Sequence, residues 1–197
     1  MNDKAQIRRE CLSRRNALSQ SAIRDKSQSI HERLSALPDF PEASQILTYV
    51  SKDNEVDTRP LIRDLLDQRR TVLIPIAQKD GTLKWSSLKS LDDLEAGAFG
   101  VPEPLPNRRR IVAPAHDALV IVPCVAFTPA GHRLGHGKGY FDRFLAQHRG
   151  TSVGLAFESQ KIERLPIEEH DIAVDIVLTE SRCYRKGDSN GIERSQA

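Results

Sequence analysis

Residues 122–145, VPCVAFTPAGHRLGHGKGYFDRFL, contain the features of the sequence that decide its fold. The apolar run that leads into them, 118–122, is typical of a buried strand. Glycines then occupy positions 131, 135, 137 and 139, with histidine, arginine and lysine between them. Apolar residues and a histidine follow at helical spacing, at positions 141, 144, 145 and 148. The stretch therefore predicts a strand, a cationic glycine-rich loop and a helix, in that order.

The predicted loop has the chemistry of an anion-binding site. Glycine lets the backbone approach a ligand closely, Arg133 and Lys138 add positive charge, and the following helix start offers unpaired N–H groups. The spacing is not that of a P-loop, because Lys138 is followed by Gly139 rather than by serine or threonine. Nor is it the dinucleotide-binding G-x-G-x-x-G, because Tyr140 stands where the third glycine would be. A flexible surface loop is the alternative interpretation.

Residues 131–143, GHRLGHGKGYFDR, resemble the hallmark loop G-x-R-L-G-x-G-x-G-Y-Y-D-R of the 5-formyltetrahydrofolate cyclo-ligase family. Members of this family are also called methenyltetrahydrofolate synthetases. Phe141, in place of the second tyrosine, is a departure from the pattern. The resemblance implies a three-layer α/β/α sandwich with a largely parallel sheet. It also implies a ligase that converts 5-formyltetrahydrofolate to 5,10-methenyltetrahydrofolate, with ATP as co-substrate and ADP and phosphate as products.

The composition limits the cellular setting and the partners. The 197 residues include 29 basic and 27 acidic side chains, and a net charge of +2 gives no strong field towards nucleic acid or membranes. Cys11, Cys124 and Cys183 are too widely spaced for a zinc site and suggest no disulfide framework. No secretory signal or membrane-spanning apolar run is visible. We therefore expect a soluble cytoplasmic monomer with small-molecule partners, one domain over 1–184 and a disordered polar tail at 185–197.

The order of apolar patterns along the chain predicts the secondary structure. An amphipathic helix is expected over 3–18, and Ser19 is expected to cap a second helix that ends at Pro38. A third helix is expected after Thr58, with Pro60 in its first turn. Strands are expected at 45–50, 71–76, 82–86, 118–122, 152–157 and 173–178. This alternation of strands and helices predicts an α/β domain with a largely parallel sheet.

The resemblance implies that two parts of the chain contact ATP. Lys4 and Arg8, four residues apart, share a helix face and match a lysine and an arginine that contact the nucleotide in the family. From spacing alone, a solvated face would be the better interpretation. The expected ATP-binding residues are Lys4, Arg8, Arg133, Leu134, Gly135, His136, Gly137, Lys138, Gly139, Tyr140 and Phe141. The expected catalytic residues are Arg133, Lys138 and Tyr140.

The folate site is expected in the loop after the first strand. Glu55 lies in that loop, and loops between strand ends and helices are where α/β proteins bind ligands. The resemblance implies that Glu55 holds the pterin ring, since a carboxylate can accept two parallel N–H bonds from an aminopyrimidine edge. The expected substrate-binding residues are Val50, Glu55, His136, Gly137, Lys138, Gly139 and Tyr140. Roles for Trp85, Glu103 and His170 stay open at this point.

Asp175 interrupts an apolar run, AVDIVL at 173–178, in a predicted strand. A carboxylate in such a setting requires a hydrogen-bonding partner or a cation. In the family, an aspartate in this context binds magnesium together with the aspartate of the hallmark loop, which is Asp142 here. The resemblance therefore implies Mg²⁺ as a cofactor, with Asp142 and Asp175 as its ligands.

Two other classes of function are compatible with parts of the sequence. One is a sugar-phosphate isomerase or acyl-transfer enzyme on a similar α/β fold, which would turn over without ATP. The other is a nucleotide- or RNA-binding module that uses the local basic clusters, and its binding would weaken steeply with salt. The near-neutral charge and an aromatic content of 5% disfavour the second class.

Overall fold

The computed structural model of the protein describes residues 3–97 and 100–187. Within these ranges the helices are α1 (Lys4–Asn16), α2 (Gln20–Ser35), α3 (Asp39–Glu42), α4 (Arg59–Asp67) and α5 (Tyr140–Leu145). The strands are β1 (Gln45–Thr48), β2 (Thr71–Ala77), β3 (Leu83–Ser87), β4 (Leu94–Ala96), β5 (Pro102–Pro104), β6 (Leu119–Pro123), β7 (Ala126–Phe127), β8 (Arg133–Leu134), β9 (Ser152–Leu155), β10 (Ile176–Leu178) and β11 (Cys183–Arg185). Short 3₁₀ turns lie at Leu91–Asp93, Pro106–Arg108 and Glu158–Gln160.

Seven strands form the central sheet, in the order β11-β10-β9-β6-β1-β2-β3. The five inner strands are parallel to their neighbours, and the two outer strands, β3 and β11, pair antiparallel. The chain moves from β1 to β2 on one side and later returns to place β6 on the other side of β1. Strand order therefore reverses between β1 and β6, and open α/β sheets bind ligands beside the carboxyl ends of strands at such a reversal.

Helices and loops cover both faces of this sheet. On one face, α2, α3 and α4 pack their apolar side chains, such as Ile30, Phe40 and Ile62, against alternate residues of the inner strands. On the other face, Leu145 of α5 packs with Trp85 and the remaining strand residues. The predicted α/β fold with a largely parallel sheet is confirmed, and the helices on its two faces give the three expected layers.

The first helices begin where the sequence provides capping side chains. Asp3 accepts a hydrogen bond from the Gln6 backbone N–H at 2.7 Å, and Ser19 accepts one from that of Ala22 at 3.2 Å. The predicted cap at Ser19 is thus confirmed. Helix α1 then packs Ile7 and Cys11 against the two-stranded ribbon formed by β7 and β8, apart from the main sheet.

The structure departs from the sequence-based expectation near Asp175. Strand β10 begins at Ile176, so Asp175 precedes the strand and is exposed rather than lying among apolar side chains within it. At the end of the chain, β11 reaches Arg185, the first residue of the expected tail, while residues 188–197 lie outside the described ranges. Ala98 and Phe99 also lie outside those ranges.

Candidate active site

A cavity of about 770 Å³ lies beside the carboxyl ends of β1, β2 and β6, where the strand order reverses. Its walls come from α1, from the loops after these strands, from α5 and from a segment that precedes β10. The residues that line it are Lys4, Arg8, Tyr49, Val50, Lys52, Glu55, Pro75, Ala77, Leu83, Val101, Glu103, Pro123, Arg133, Leu134, Gly135, His136, Gly137, Lys138, Gly139, Tyr140, Phe141, Asp142, Arg143, Ala146, Glu168, Glu169, His170, Asp171 and Ile172.

The glycine-rich loop forms one side of this cavity and is packed against α1. Arg8 donates a hydrogen bond from Nε to the Gly135 carbonyl oxygen at 2.9 Å. Gly137 has a φ of 93°, and a Cβ at this position would stand 3.3 Å from the Arg8 guanidinium. The positive φ and the close approach both favour glycine here. Because α5 has only six residues, cationic side chains rather than a long helix dipole supply the positive potential at the loop.

Arg133 projects from β8 beside this loop and is only 5% exposed. Its Nη1 lies 3.2 Å from Oδ1 of Asp142, which also accepts a hydrogen bond from the Ile172 backbone N–H at 3.3 Å. Among the described residues, neither Nε nor Nη2 of Arg133 has a hydrogen-bond partner. A buried guanidinium with unsatisfied donors is suited to an anionic ligand, because arginine binds phosphate and carboxylate through parallel N–H bonds.

Lys4 reaches the cavity from the first turn of α1 and is held by two carboxylates. Its Nζ lies 2.6 Å from Asp171 Oδ2 and 3.1 Å from Glu168 Oε2. Partial burial opposes the charge on Lys4, but hydrogen bonds to Asp171 and Glu168 raise its pKa above the usual 10.5. Burial likewise opposes the charge on Asp171, and hydrogen bonds from Lys4 and the Glu168 backbone lower its pKa below 3.8. The pair therefore stays charged across the neutral pH range.

Glu55 lies at the other side of the cavity, only 7% exposed. Its Oε2 accepts a hydrogen bond from the Lys52 backbone N–H at 3.0 Å, and its Oε1 lies 3.3 Å from Nε2 of His136 in the glycine-rich loop. Arg15 lies behind it, with Nη1 4.0 Å from the same Oε1. A carboxylate has about four acceptor positions, so Glu55 can still accept N–H bonds from a ligand.

The start of α5 ties the glycine-rich loop to the turn between β2 and β3. Tyr140 donates from its hydroxyl to the Gln78 carbonyl oxygen at 3.1 Å. Arg143 donates to the carbonyl oxygens of Gly81 and Lys138, each at 2.7 Å. The bonds to Gln78 and Gly81 fix the cavity wall across a large sequence separation, because each joins residues that are 62 positions apart.

The structure brings almost all of the predicted site residues together. Every residue expected to bind ATP or folate lines the cavity, and so do the three expected catalytic residues and Asp142. Asp175 does not line it: its Oδ2 accepts hydrogen bonds from the Ser152 N–H and hydroxyl, at 2.9 and 2.6 Å, at the amino ends of β9 and β10. The two carboxylates have different partners and only Asp142 lines the cavity, so their sharing of one Mg²⁺ stays a prediction.

The structure also locates Trp85 and Glu103, whose roles were open. Trp85 is buried in the core, with its ring 4.9 Å from that of Phe144, and does not line the cavity. Glu103 lines the cavity, and its Oε1 accepts a hydrogen bond from the Ala77 backbone N–H at 3.3 Å. Burial raises the pKa of the Cys124 thiol to about 12, so it is not a nucleophile at neutral pH.

A three-residue group near the cavity has a spacing that suits a metal ion. Glu168, His170 and Asp171 each offer one ligand atom, and these atoms lie within 4.8 Å of one another. Lys4 already contacts the two carboxylates, so its ammonium group supplies the cation in this arrangement. These contacts could not be predicted from the sequence, because Lys4 and Asp171 are 167 residues apart.

Comparison with known proteins agrees with this geometry. Residues 1–180 match the profile of the 5-formyltetrahydrofolate cyclo-ligase family. The chain belongs to this family. Members of the cyclo-ligase family are enzymes, and the glycine-rich loop that defines the resemblance is the loop that forms the cavity wall.

Individual relatives of this cyclo-ligase family member match over nearly their whole length. The 5-formyltetrahydrofolate cyclo-ligase of Escherichia coli strain K12 is 32% identical over 176 residues, which are 87% of this chain and 97% of that protein. The Haemophilus influenzae cyclo-ligase is 31% identical over 178 residues, covering 88% and 95%. The solution structure of Aquifex aeolicus 5,10-methenyltetrahydrofolate synthetase superposes with a TM-score of 0.81 at 34% identity, covering 98% and 97%.

Proposed function

We propose that this member of the family converts 5-formyltetrahydrofolate to 5,10-methenyltetrahydrofolate with ATP as co-substrate. The observation that carries the proposal is the contact between His136 and Glu55, 3.3 Å apart. His136 belongs to the cationic glycine-rich loop, and Glu55 is a buried carboxylate in the adjoining part of the cavity wall. One continuous cavity thus offers a site for phosphates next to a site for a pterin, and the reaction requires the γ-phosphate of ATP to meet the N5-formyl group that the pterin carries.

The phosphate groups of ATP are proposed to bind at the glycine-rich loop. Arg133 presents two unsatisfied donor nitrogens there, and Lys4, Arg8 and Lys138 line the same region. Phosphoryl transfer depends more on positioning and charge neutralisation than on covalent catalysis. We assign Arg133 and Lys138 to charge neutralisation and Tyr140 to positioning, since its hydroxyl anchors the loop to Gln78.

The pterin ring of the folate is proposed to bind at Glu55 and Val50. Val50 is buried just beyond the end of β1, and Glu55 faces the cavity from the loop that follows. The ionised carboxylate of Glu55 would accept N–H bonds from the aminopyrimidine edge. This places the N5-formyl group towards the glycine-rich loop, where the γ-phosphate of ATP is proposed to lie.

The formyl oxygen is a poor leaving group, so the proposed reaction first phosphorylates it and then displaces it. The formyl oxygen attacks the γ-phosphorus of ATP, the bond from this phosphorus to the bridging oxygen breaks, and ADP leaves. N10 of the folate then attacks the activated formyl carbon and loses its proton, and the carbon–oxygen bond breaks to release inorganic phosphate. The product is the cyclic methenyl cation, and the oxygen of the formyl group leaves in the phosphate.

Several further expectations stay predictions. The requirement for Mg²⁺ is one, and no step above is routed through a metal at Asp142 and Asp175. The cytoplasmic location and the monomeric state are two others. None of the helices in the described ranges is long and apolar enough to cross a membrane.

The proposal is tested by following methenyl product absorbance and ATP consumption together. ATP should be consumed only when 5-formyltetrahydrofolate is present, with one product formed per ATP, and a Mg²⁺ titration of the same assay tests the metal requirement. Equal ATP consumption without folate, or folate turnover without ATP, would contradict the cyclo-ligase reaction. Sugar-phosphate isomerisation or salt-sensitive RNA binding without turnover would favour the other two classes.

Glu55→Gln tests where the folate binds. The substitution keeps the shape of the side chain but replaces one acceptor oxygen with a donor, so a second N–H bond to the pterin is lost. We expect the affinity for 5-formyltetrahydrofolate to fall at least tenfold, roughly the value of one charge-assisted hydrogen bond, with ATP affinity within twofold of the parent. Calorimetry with each substrate alone measures both, and unchanged folate affinity would remove Glu55 from the site.

A further inference from the structure

Arg15 is a buried cation that lies outside the cavity lining but next to a residue that faces it. It lies in the last turn of α1, is 3% exposed, and places Nη1 4.0 Å from Oε1 of Glu55. Its Nε is buried and has no hydrogen-bond partner within 3–97 and 100–187. Fully buried arginines are rare unless they are paired, so the contact with Glu55 requires an explanation.

Helix geometry connects Arg15 with the residues at the other end of α1. Lys4, Arg8, Cys11 and Arg15 are separated by four, three and four residues, which is the spacing of one helix face. Lys4 and Arg8 line the cavity, Cys11 anchors the helix against the β7–β8 ribbon, and Arg15 approaches Glu55 from behind. A single helix face thus extends from the proposed phosphate region to the proposed pterin region.

The chemistry of Glu55 indicates what Arg15 does. A buried carboxylate without an opposite charge is costly, and His136, its other side-chain partner, is half exposed at 48% and bears charge only when protonated. Arg15 is always charged and cannot move into solvent, because its side chain is 4% exposed. It can therefore hold the Glu55 carboxylate in one orientation, with the remaining acceptor positions available to the cavity.

We propose that Arg15 is a positioning residue for the folate substrate and that it acts through Glu55. This inference rests on the proposed function, because it takes Glu55 as the group that binds the pterin. Arg15 does not contact the substrate itself, and its removal should weaken folate binding without changing the phosphate site. If Arg15 were purely structural, its replacement would instead weaken the binding of both substrates, because α1 as a whole would lose order.

The first test compares Arg15→Met with a matched control, Arg14→Met, which removes the same charge from an exposed neighbour. We expect Arg15→Met to raise the dissociation constant for 5-formyltetrahydrofolate at least tenfold and the KM for it similarly, with the ATP constant within twofold. Arg14→Met should match the parent for both substrates. Arg15→Lys, which keeps the charge but not the planar fork, should recover part of the folate affinity.

Thermal unfolding and circular dichroism establish that each variant is folded. If Arg15→Met does not fold because Glu55 is left without its counter-charge, Arg15→Gln is measured in its place. An equal loss of affinity for ATP and folate would overturn the proposal, and so would parental folate affinity in the folded Met or Gln variant.

The second test repeats the substitution in the Glu55→Gln background, where the carboxylate through which Arg15 acts is absent. Arg15→Met should then change folate affinity less than twofold, because residues that act as one unit are not additive. A tenfold effect that persists in this background would overturn the proposal. If Glu55→Gln alone leaves folate affinity unchanged, the proposed pterin site fails and the inference falls with it. If Glu55→Gln weakens binding and Arg15→Met does not, only the inference falls.

Discussion

Similar side chains have different roles at the amino ends and at the carboxyl ends of the strands in the central sheet. At the amino ends of β9 and β10, Asp175 and Ser152 satisfy each other: the carboxylate accepts two hydrogen bonds from Ser152, and the Asp175 N–H donates to the Ser152 hydroxyl at 3.0 Å. At the cavity beside the carboxyl ends, Asp142 pairs with Arg133, but two buried nitrogens of Arg133 find no acceptor in the part of the chain that the structure describes.

Asp175 has its hydrogen bonds satisfied and stabilises the fold, whereas Arg133 has unsatisfied donors that are available to a ligand. A buried donor without an acceptor costs free energy, about 1–3 kcal/mol, and an anionic ligand in the cavity would remove this cost at Arg133. The bonds between Asp175 and Ser152 leave no such cost at Asp175 Oδ2, and a substitution of Asp175 should affect stability rather than activity. The predictions that follow test this distinction, beginning with the largest expected effect.

Replacing Arg133 should have the largest effect on activity. Arg133→Met removes the guanidinium proposed to bind the transferred phosphate, and we expect kcat/KM to fall about 100-fold or more, as when a positioned transition-state donor is lost. Arg133→Lys keeps the charge without the fork and should recover only part of this loss. Steady-state kinetics with both substrates varied, together with the melting temperature, gives the result, with the exposed Arg164→Met as control. Parental kcat/KM in a folded Arg133→Met protein would exclude Arg133 from catalysis.

Replacing Asp171 should have a smaller effect that depends on pH. Asp171→Asn removes the charge that holds Lys4, and we expect the KM for ATP to rise about fivefold and stability to fall about 1 kcal/mol at neutral pH. The lowered pKa of Asp171 and the raised pKa of Lys4 mean that this stability difference is fully present between pH 3.8 and 10.5. It should vanish as pH falls through the lowered pKa of Asp171 or rises through the raised pKa of Lys4.

Urea unfolding of parent and Asp171→Asn proteins across this pH range measures the difference. Glu163→Gln, which removes a charge from an exposed residue on a segment near α1, is the matched control and should show no such pH dependence. A stability difference that grows below pH 3.8 would have the wrong sign for an ion pair with these pKa shifts.

Replacing Asp175 should have no effect on catalysis. Asp175→Ala removes both acceptor contacts with Ser152, and we expect stability to fall about 1–2 kcal/mol with unchanged kcat/KM and unchanged dependence on Mg²⁺. Asp142→Asn is the comparison, because it changes the partner of Arg133 and should lower activity. A shifted Mg²⁺ requirement in Asp175→Ala would instead support the metal site that the family resemblance implied.

The sequence was sufficient for the fold because the fold depends on local patterns, whereas most of the cavity residues were expected from the resemblance to the family. The strands of the parallel sheet have enough apolar residues for their period to be recognised, and the glycine-rich loop carries its own chemistry. The β7 and β8 strands were not predicted, because each has only two residues and no period can be seen in two residues. Asp175 was misplaced because the apolar run 173–178 suggested a longer strand than the one that forms.

The partners of the site residues could not be predicted for a different reason. The pairs Lys4–Asp171 and Arg15–Glu55 join distant parts of the chain, and one sequence contains no signal for which acidic residue a given cation will meet. Exposed and buried arginines also look alike in a sequence. Arg14 and Arg15 are adjacent, yet only Arg15 is buried, because the helix face that carries Cys11 turns it inward.

The position of α1 has a consequence for the order in which the molecule is assembled. This helix is synthesised before the residues that hold it, since Arg8 bonds to Gly135, Cys11 lies against Gln160 and Lys4 bonds to Asp171. During translation α1 therefore has no partner until the ribbon at residues 126–134 has been made, and the Lys4–Asp171 bond forms only after residue 171 has left the ribosome. Its docking completes the cavity, so a nascent chain that stops before this point has most of the sheet but no enclosed site for either substrate.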